Sequence, residues 1–130
     1  MKCLDTDLLI AILRGKKEAC PVATELDQEA KEATTAINAF ELFFGAYKSE
    51  RKIENTKEAQ KLLERLEVIP MDMSAAQRAG EISANLFAKG EPIDFRDAMI
   101  AAIALEKDLT LLTRNKAHFS RIKGLKVQTW

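Results

Sequence analysis

The order of apolar and polar positions predicts short strands alternating with helices. Residues 2–4 read as a very short strand that ends at Asp5. The apolar run over 7–13 reads as a buried helix, closed by Gly15 in a left-handed cap. Residues 22–32 are acidic and weakly periodic, which predicts a short helix, and the β-branched segment 33–37 reads as a strand. Asn38 is then the expected N-cap of a helix over 39–48, with Phe40, Phe43, Phe44 and Tyr47 at helical spacing. An amphipathic helix follows over 54–66, its inner stripe made of Ala59, Leu62, Leu63 and Leu66. Residues 68–71 read as an edge strand, because Pro70 cannot donate to a ladder. Ser74 to Gln77 reads as a capping box opening a helix through Ala79, Ile82 and Leu86, closed by Gly90. Asp94 caps a helix over 95–106, and strands are expected over 109–113 and 126–129. Strands separated by helices predict one α/β domain, a short, mostly parallel central sheet flanked by helices in an α/β/α arrangement.

Composition narrows the function classes. A chain of 130 residues suits one domain, and no Ser/Gly/Pro-rich linker divides it. With 47% apolar and 31% charged residues it is not compositionally disordered. Lys+Arg and Asp+Glu number 20 each, so no broad basic face supplies affinity for nucleic acid. Nucleic acid would have to be gripped by a local patch or by a metal. Cys3 and Cys20 are too few for a zinc site and read as two buried thiols in a reduced compartment. Asp5 interrupts the first apolar run, and no stretch approaches the roughly 18 apolar residues of a membrane span, so a cytoplasmic protein is expected.

His118 is the lone histidine, which leaves a Ser/His/Asp or Cys/His triad little to build on. No glycine-rich phosphate loop occurs. What remains are carboxylates at strand and helix ends, where open parallel sheets bind ligands. Asp5 closes the first strand, Glu41 and Asp97 fall in first turns of helices, and Thr113 and Asn115 follow a late strand. Carboxylates gathered at one edge need a cation, and Mg²⁺ or Mn²⁺ takes oxygen ligands. Such a site suits phosphodiester hydrolysis. Each group also has a plainer role. Asn38-x-x-Glu41 and Asp94-x-x-Asp97 both fit an N-cap with an acid three residues on, Asp7 fits a helix-start acid, and Asn115 fits an Asx-turn. The aromatic stripe from Phe40 to Tyr47 reads as core or dimer surface.

These residues resemble the PIN-domain ribonucleases, and within them the VapC toxins of bacterial and archaeal toxin–antitoxin pairs. Leu4-Asp5-Thr6-Asp7-Leu8-Leu9-Ile10 resembles the opening strand-to-helix motif of that family. Asn38 to Ala46 resembles its "E-L-x-x-G" helix, Pro92 to Ala102 its "D-x-x-I-A-A" segment, and Leu111 to Phe119 with Gly124-Leu125 its ending. The resemblance runs in order along nearly the whole chain. It implies a metal-dependent endoribonuclease with Asp5, Glu41 and Asp97 as catalytic residues, Asp5 and Asp97 binding Mg²⁺ or Mn²⁺. Glu41 would bind a second metal or deprotonate the attacking water, with Thr6, Asp94, Thr113 and Asn115 as accessory groups. The chain departs from the fullest pattern at Asn115, where many members carry a fourth acid, and at His118, where an acid often precedes the Phe. Asp94 is a candidate for the missing charge. The resemblance further implies a homodimer and a VapB-type antitoxin whose C-terminal segment fills a groove near the acids. Lys48, Arg51, Lys52, Arg96 and Arg114 are candidate phosphate contacts.

Two other classes are consistent with an α/β domain bearing acids. A receiver-like signalling domain would need an Asp closing a middle strand and a Lys closing a late one, whereas the chain offers Ile37-Asn38 and Thr113-Arg114. A catalytically inactive PIN fold acting as an interaction module is motivated by the missing fourth acid.

Overall fold

A computed structural model of the chain describes residues 1–28 and 30–130. In chain order the elements are β1 (Lys2–Leu4), α1 (Thr6–Leu13), a 3-10 turn (Lys17–Ala19), α2 (Cys20–Asp27), β2 (Ala33–Thr35), α3 (Ala36–Lys48) and α4 (Lys52–Glu64). They continue with β3 (Glu67–Ile69), α5 (Met73–Ala88), α6 (Phe95–Glu106), β4 (Thr110–Leu112), α7 (Lys116–Phe119) and β5 (Val127–Gln128). The strands form one five-stranded sheet in the order β3-β2-β1-β4-β5. Every pairing is parallel, with Cys3 opposite Ala33 and Leu111, and Leu4 opposite Leu112.

The alternation of side chains along β1 and β4 divides the core in two. Cys3 and Leu111 face one layer with Ala33 and the inner faces of α5 and α6, while Leu4 and Leu112 face the other with α1, α2, α3 and α4. Ala98, Ala101, Ala102 and Ala104 let α6 lie close against its neighbours. Chain reversals follow local chemistry: Gly15 (φ 64°) ends α1 and Gly90 (φ 72°) follows α5, both in the left-handed region that glycine enters without strain. Parallel strands put their carboxyl ends on one edge, and β1 delivers Asp5, β2 Thr35 and β4 Thr113 to it.

Several local expectations are corrected. The strand expected over 33–37 stops at Thr35, and α3 begins at Ala36. Its N-cap is Thr35, whose Oγ1 accepts from the Asn38 N–H at 3.1 Å. Asn38 is the third helical residue of a reciprocal capping box, and Glu41 lies a turn further in than the first turn. The α5 cap is Asp72, which accepts from the Ala75 N–H at 2.9 Å, and Ser74 lies inside the helix. The carboxylate immediately before Met73 outcompetes the serine hydroxyl one residue after it for the orphan donors. The helix expected over 22–32 is α2, ending at Asp27; position 29 of that expectation lies outside the described residues. Cys3 is buried, and burial pushes its thiol up to about 12, but Cys20 is exposed rather than buried. Phe40, Phe44 and Tyr47 are exposed rather than core.

Candidate active site

Asp5 leaves β1 at the sheet edge and caps α1, which fixes its backbone twice. Its carboxylate is only 5% exposed. Oδ1 accepts from the Thr6 N–H at 2.8 Å and from Asn38 Nδ2 at 3.0 Å, and Oδ2 accepts from Thr113 Oγ1 at 2.6 Å. Burial pushes the Asp5 carboxyl up to about 6; the Asp7 and Asp97 charges add to this, and the Thr113 and Thr6 hydrogen bonds oppose it.

Asn38 is fully buried and links this acid to the next. Its Oδ1 accepts from the Thr35 N–H and hydroxyl at 3.3 and 2.7 Å. Its second amide proton goes to Thr6 Oγ1 at 2.9 Å, and Thr6 in turn donates to Glu41 Oε1 at 2.8 Å. Every donor in the run from Thr35 through Asn38 and Thr6 to Glu41 has an acceptor, so the run is rigid. Thr113 is tied in the same way, accepting from the Asn115 N–H at 3.0 Å while donating to Asp5.

Asp97 stands in the first turn of α6 as expected, half-buried. Among the described residues no hydrogen-bond donor reaches its carboxylate. Burial raises its proton affinity first, then the charges of Asp94 and Glu41, against the opposing influence of His118 and Arg96. Asp94 is committed elsewhere. Arg96 grips it through Nε at 3.1 Å and Nη2 at 3.2 Å, and this pairing holds the Asp94 carboxyl below its ordinary range. The same guanidinium reaches Glu41 Oε2 at 3.8 Å. Asn115 is exposed, and its side chain makes no hydrogen bond among the described residues.

Asp5, Thr6, Glu41 and Thr113 therefore form one hydrogen-bonded constellation, with Asp97 coupled to it through charge. Its chemistry fits a hard divalent cation: carboxylate oxygens, proton affinities raised at Asp5 and Asp97, and one carboxylate without a donor. Among the described residues no three or more acidic, His or Cys side chains are gathered closely enough to chelate one. The candidate phosphate contacts scatter. Arg51 pairs with Glu54, Lys48 lies over the Phe44 ring at 5.1 Å, and Lys52 is exposed at the start of α4.

Sequence reasoning missed the positioning roles of Asn38, Thr35 and Asp7. Asp7 accepts from the Arg114 N–H at 2.8 Å and from the Trp130 indole at 3.4 Å, which ties the segment after β4 to α1. Thr35-x-x-Asn38 is itself a capping-box spacing, and that was the available signal; nothing local pointed from Asp7 to Trp130.

A five-stranded parallel sheet with helices on both faces and acids at the carboxyl edge defines the class, and the PIN domain model matches residues 2–125. The "tRNA(fMet)-specific endonuclease VapC" of Salmonella typhimurium is 33% identical over 127 residues, 98% of this chain and 96% of that protein. The DNA-bound VapBC structure from Salmonella typhimurium contains a chain that superposes with a TM-score of 0.89 at 32% identity, over 100% of this chain and 99% of that one. VapBC2 from Rickettsia felis, bound to a promoter DNA fragment, gives a TM-score of 0.89 at 28% identity, over 99% and 98%. The chain belongs to the PIN-domain family, in its VapC-type group. Among the described residues no helix is long and apolar enough to cross a membrane.

Proposed function

We propose that this chain is the ribonuclease toxin of a VapBC-type pair, hydrolysing RNA phosphodiesters at the Asp5–Glu41–Asp97 edge with Mg²⁺ or Mn²⁺, in the cytoplasm. The observation that carries the reading is the buried run that fixes Asp5 and Glu41 side by side through Asn38 and Thr6. A fold gains little from burying a carboxylate whose pKa is pushed up to about 6 unless the site has work for it. Asp5 and Asp97 would hold the cation, with Glu41 beside it. A divalent cation supplies there the positive charge that acidifies water and neutralises the phosphoryl oxygens in the transition state. Thr6 orients Glu41 through Oε1, and Oε2, with the Arg96 guanidinium 3.8 Å away, would take the proton from the attacking water as the new P–O bond forms and a ribose oxygen departs. Asn38 and Thr113 hold Asp5 still during that step, so no reorganisation is needed.

A partner reading accompanies it. A cavity of about 280 Å³ between α1, α3 and α4 is lined by Ile10, Leu13, Leu42 and Ala46, and Glu41 also lines it. An apolar trough with Glu41 and Glu58 in its wall suits an antitoxin segment that carries apolar anchors and a basic side chain, as a VapB-type partner would. The solved VapBC complexes among its structural relatives favour the same partner. Phe40, Phe44 and Tyr47, exposed along α3, favour a second copy of the chain as a further partner.

The test is cleavage of a structured RNA pool by antitoxin-free protein, with Mn²⁺ or with EDTA, beside Asp97→Asn. Cleavage that requires both the metal and Asp97 is expected. No cleavage together with no Mn²⁺-dependent rise in melting temperature would leave an inactive PIN fold and overturn the reading.

A further inference from the structure

With a formal net charge of zero, the chain has to hold RNA beyond the metal edge through a local cationic patch. One lies beside the acids. A cavity of about 400 Å³ is lined by Arg14, Lys16, Arg114 and Trp130, with Asp7 and Glu18 also on its wall. None of the three cations takes part in an ion pair among the described residues. Asp7 does not neutralise them by direct pairing, because its oxygens accept from the Arg114 backbone N–H and the Trp130 indole.

Arg114 is held in place from two sides. Its guanidinium lies 3.8 Å from the Trp130 ring centroid, and its Nε donates to the Trp130 backbone oxygen at 3.2 Å. A stacked, pre-oriented guanidinium with its terminal nitrogens free is the arrangement that recognises phosphate oxygens. Ile10 and Arg14 also line the trough whose wall includes Glu41, so the cationic cavity adjoins the acidic edge at these two residues.

We propose that this cavity is an RNA subsite, in which Arg14, Lys16 and Arg114 bind phosphates of a single-stranded segment flanking the scissile bond. The assignment rests on the ribonuclease reading and gives it the local grip that a neutral chain requires.

Trp130 is the only tryptophan, so its emission reports on this cavity alone. The experiment titrates an end-labelled single-stranded RNA into Asp97→Asn protein in EDTA, following Trp130 emission and RNA anisotropy together. Saturable quenching is expected, in step with the anisotropy. Arg14→Met and Lys16→Met should each weaken binding about three- to tenfold and lower the salt slope by roughly 0.7. Arg78→Met, whose guanidinium sits against Glu106 elsewhere, should bind as the parent does. RNA that binds without changing Trp130 emission, or that binds both cavity variants normally, overturns the subsite. Metal-dependent cleavage by the unsubstituted protein would then still uphold the ribonuclease reading. Quenching by an acidic peptide but not by RNA would make the cavity a protein-binding face and also overturn it. Protein that neither binds nor cuts RNA loses both readings.

Discussion

The Asn38 side-chain amide donates to Asp5 Oδ1 at 3.0 Å across 33 positions of sequence, and both groups are buried. One residue thereby closes the cap of α3, aims the carboxylate at the end of β1 and, through Thr6, sets Glu41. Cap, sheet edge and site are a single structure here, so damage to one should be felt in the others.

Asn38→Ala tests that coupling. It strips Asp5 and Thr6 of a donor each and leaves the Thr35 N–H and hydroxyl without their acceptor. Unsatisfied buried groups of this kind cost about 1–3 kcal/mol, so a lowered Tm is expected. The lost donor also removes support for the ionised form of Asp5, and the acidic limb of the cleavage–pH profile should move to higher pH. A variant with normal Tm and an unmoved profile would contradict the coupling.

Asp5→Asn should stabilise the protein in EDTA while abolishing cleavage. The Asp5 carboxyl rises from 3.8 to about 6 on folding, so the folded state binds more protons than the unfolded one between those values. Its penalty is absent below about pH 4, grows through that window and is complete above about pH 6, where it amounts to about 3 kcal/mol at most. The asparagine keeps an acceptor for Thr6 and Asn38 and can donate to Thr113. Melts at pH 5 and pH 7.5 check this: the gain of the variant over the parent should be larger at pH 7.5. An equal or smaller gain at pH 7.5 would refute the assignment of Asp5 as the raised acid.

Where a signal is local, the sequence carried it. Asp5 ending a strand, Asp94 capping α6 and Gly15 closing α1 each depend on neighbours within a turn, and each stands where its residue type predicts. The start of α3 did not follow, because Thr35 and Asn38 are both good caps and only burial of the amide against Asp5 decides between them. Asp7 does stand in the first turn of α1 as a helix-start acid, but its Trp130 partner was illegible because it lies 123 positions away. The acids of the site could be named as a set, but which side chains hold them still is a property of the closed fold.

Glu41→Gln now separates activity from stability. An acid in the first turn of a helix would contribute to capping, but Glu41 lies beyond the first turn of α3, and its Oε1 bond from Thr6 survives the change to an amide. The expected Tm change corresponds to no more than about 0.5 kcal/mol, with cleavage lost. A large drop in Tm would show that the carboxylate charge serves the fold.

The last prediction concerns Arg96, which stands between Asp94 and Glu41. The guanidinium is anchored on Asp94 by two hydrogen bonds and leans toward Glu41 at 3.8 Å. Arg96→Gln removes a cation from the carboxylate edge and should tighten Mn²⁺ binding, measured by calorimetry on antitoxin-free protein. Its side chain is 42% exposed, so solvent screening limits the gain to about three- to tenfold at low salt, and less at high salt. Asp94→Asn acts oppositely by freeing Arg96 to turn fully onto Glu41, so Mn²⁺ should bind more weakly. The double variant separates two roles for Asp94. If Asp94 serves to hold Arg96 aside, its substitution should matter much less once Arg96 is gone, and the double variant should resemble Arg96→Gln alone. If Asp94 stands in for a fourth metal-binding acid, its loss should weaken Mn²⁺ binding equally in both backgrounds. The bidentate grip of Arg96 on Asp94 favours the first outcome.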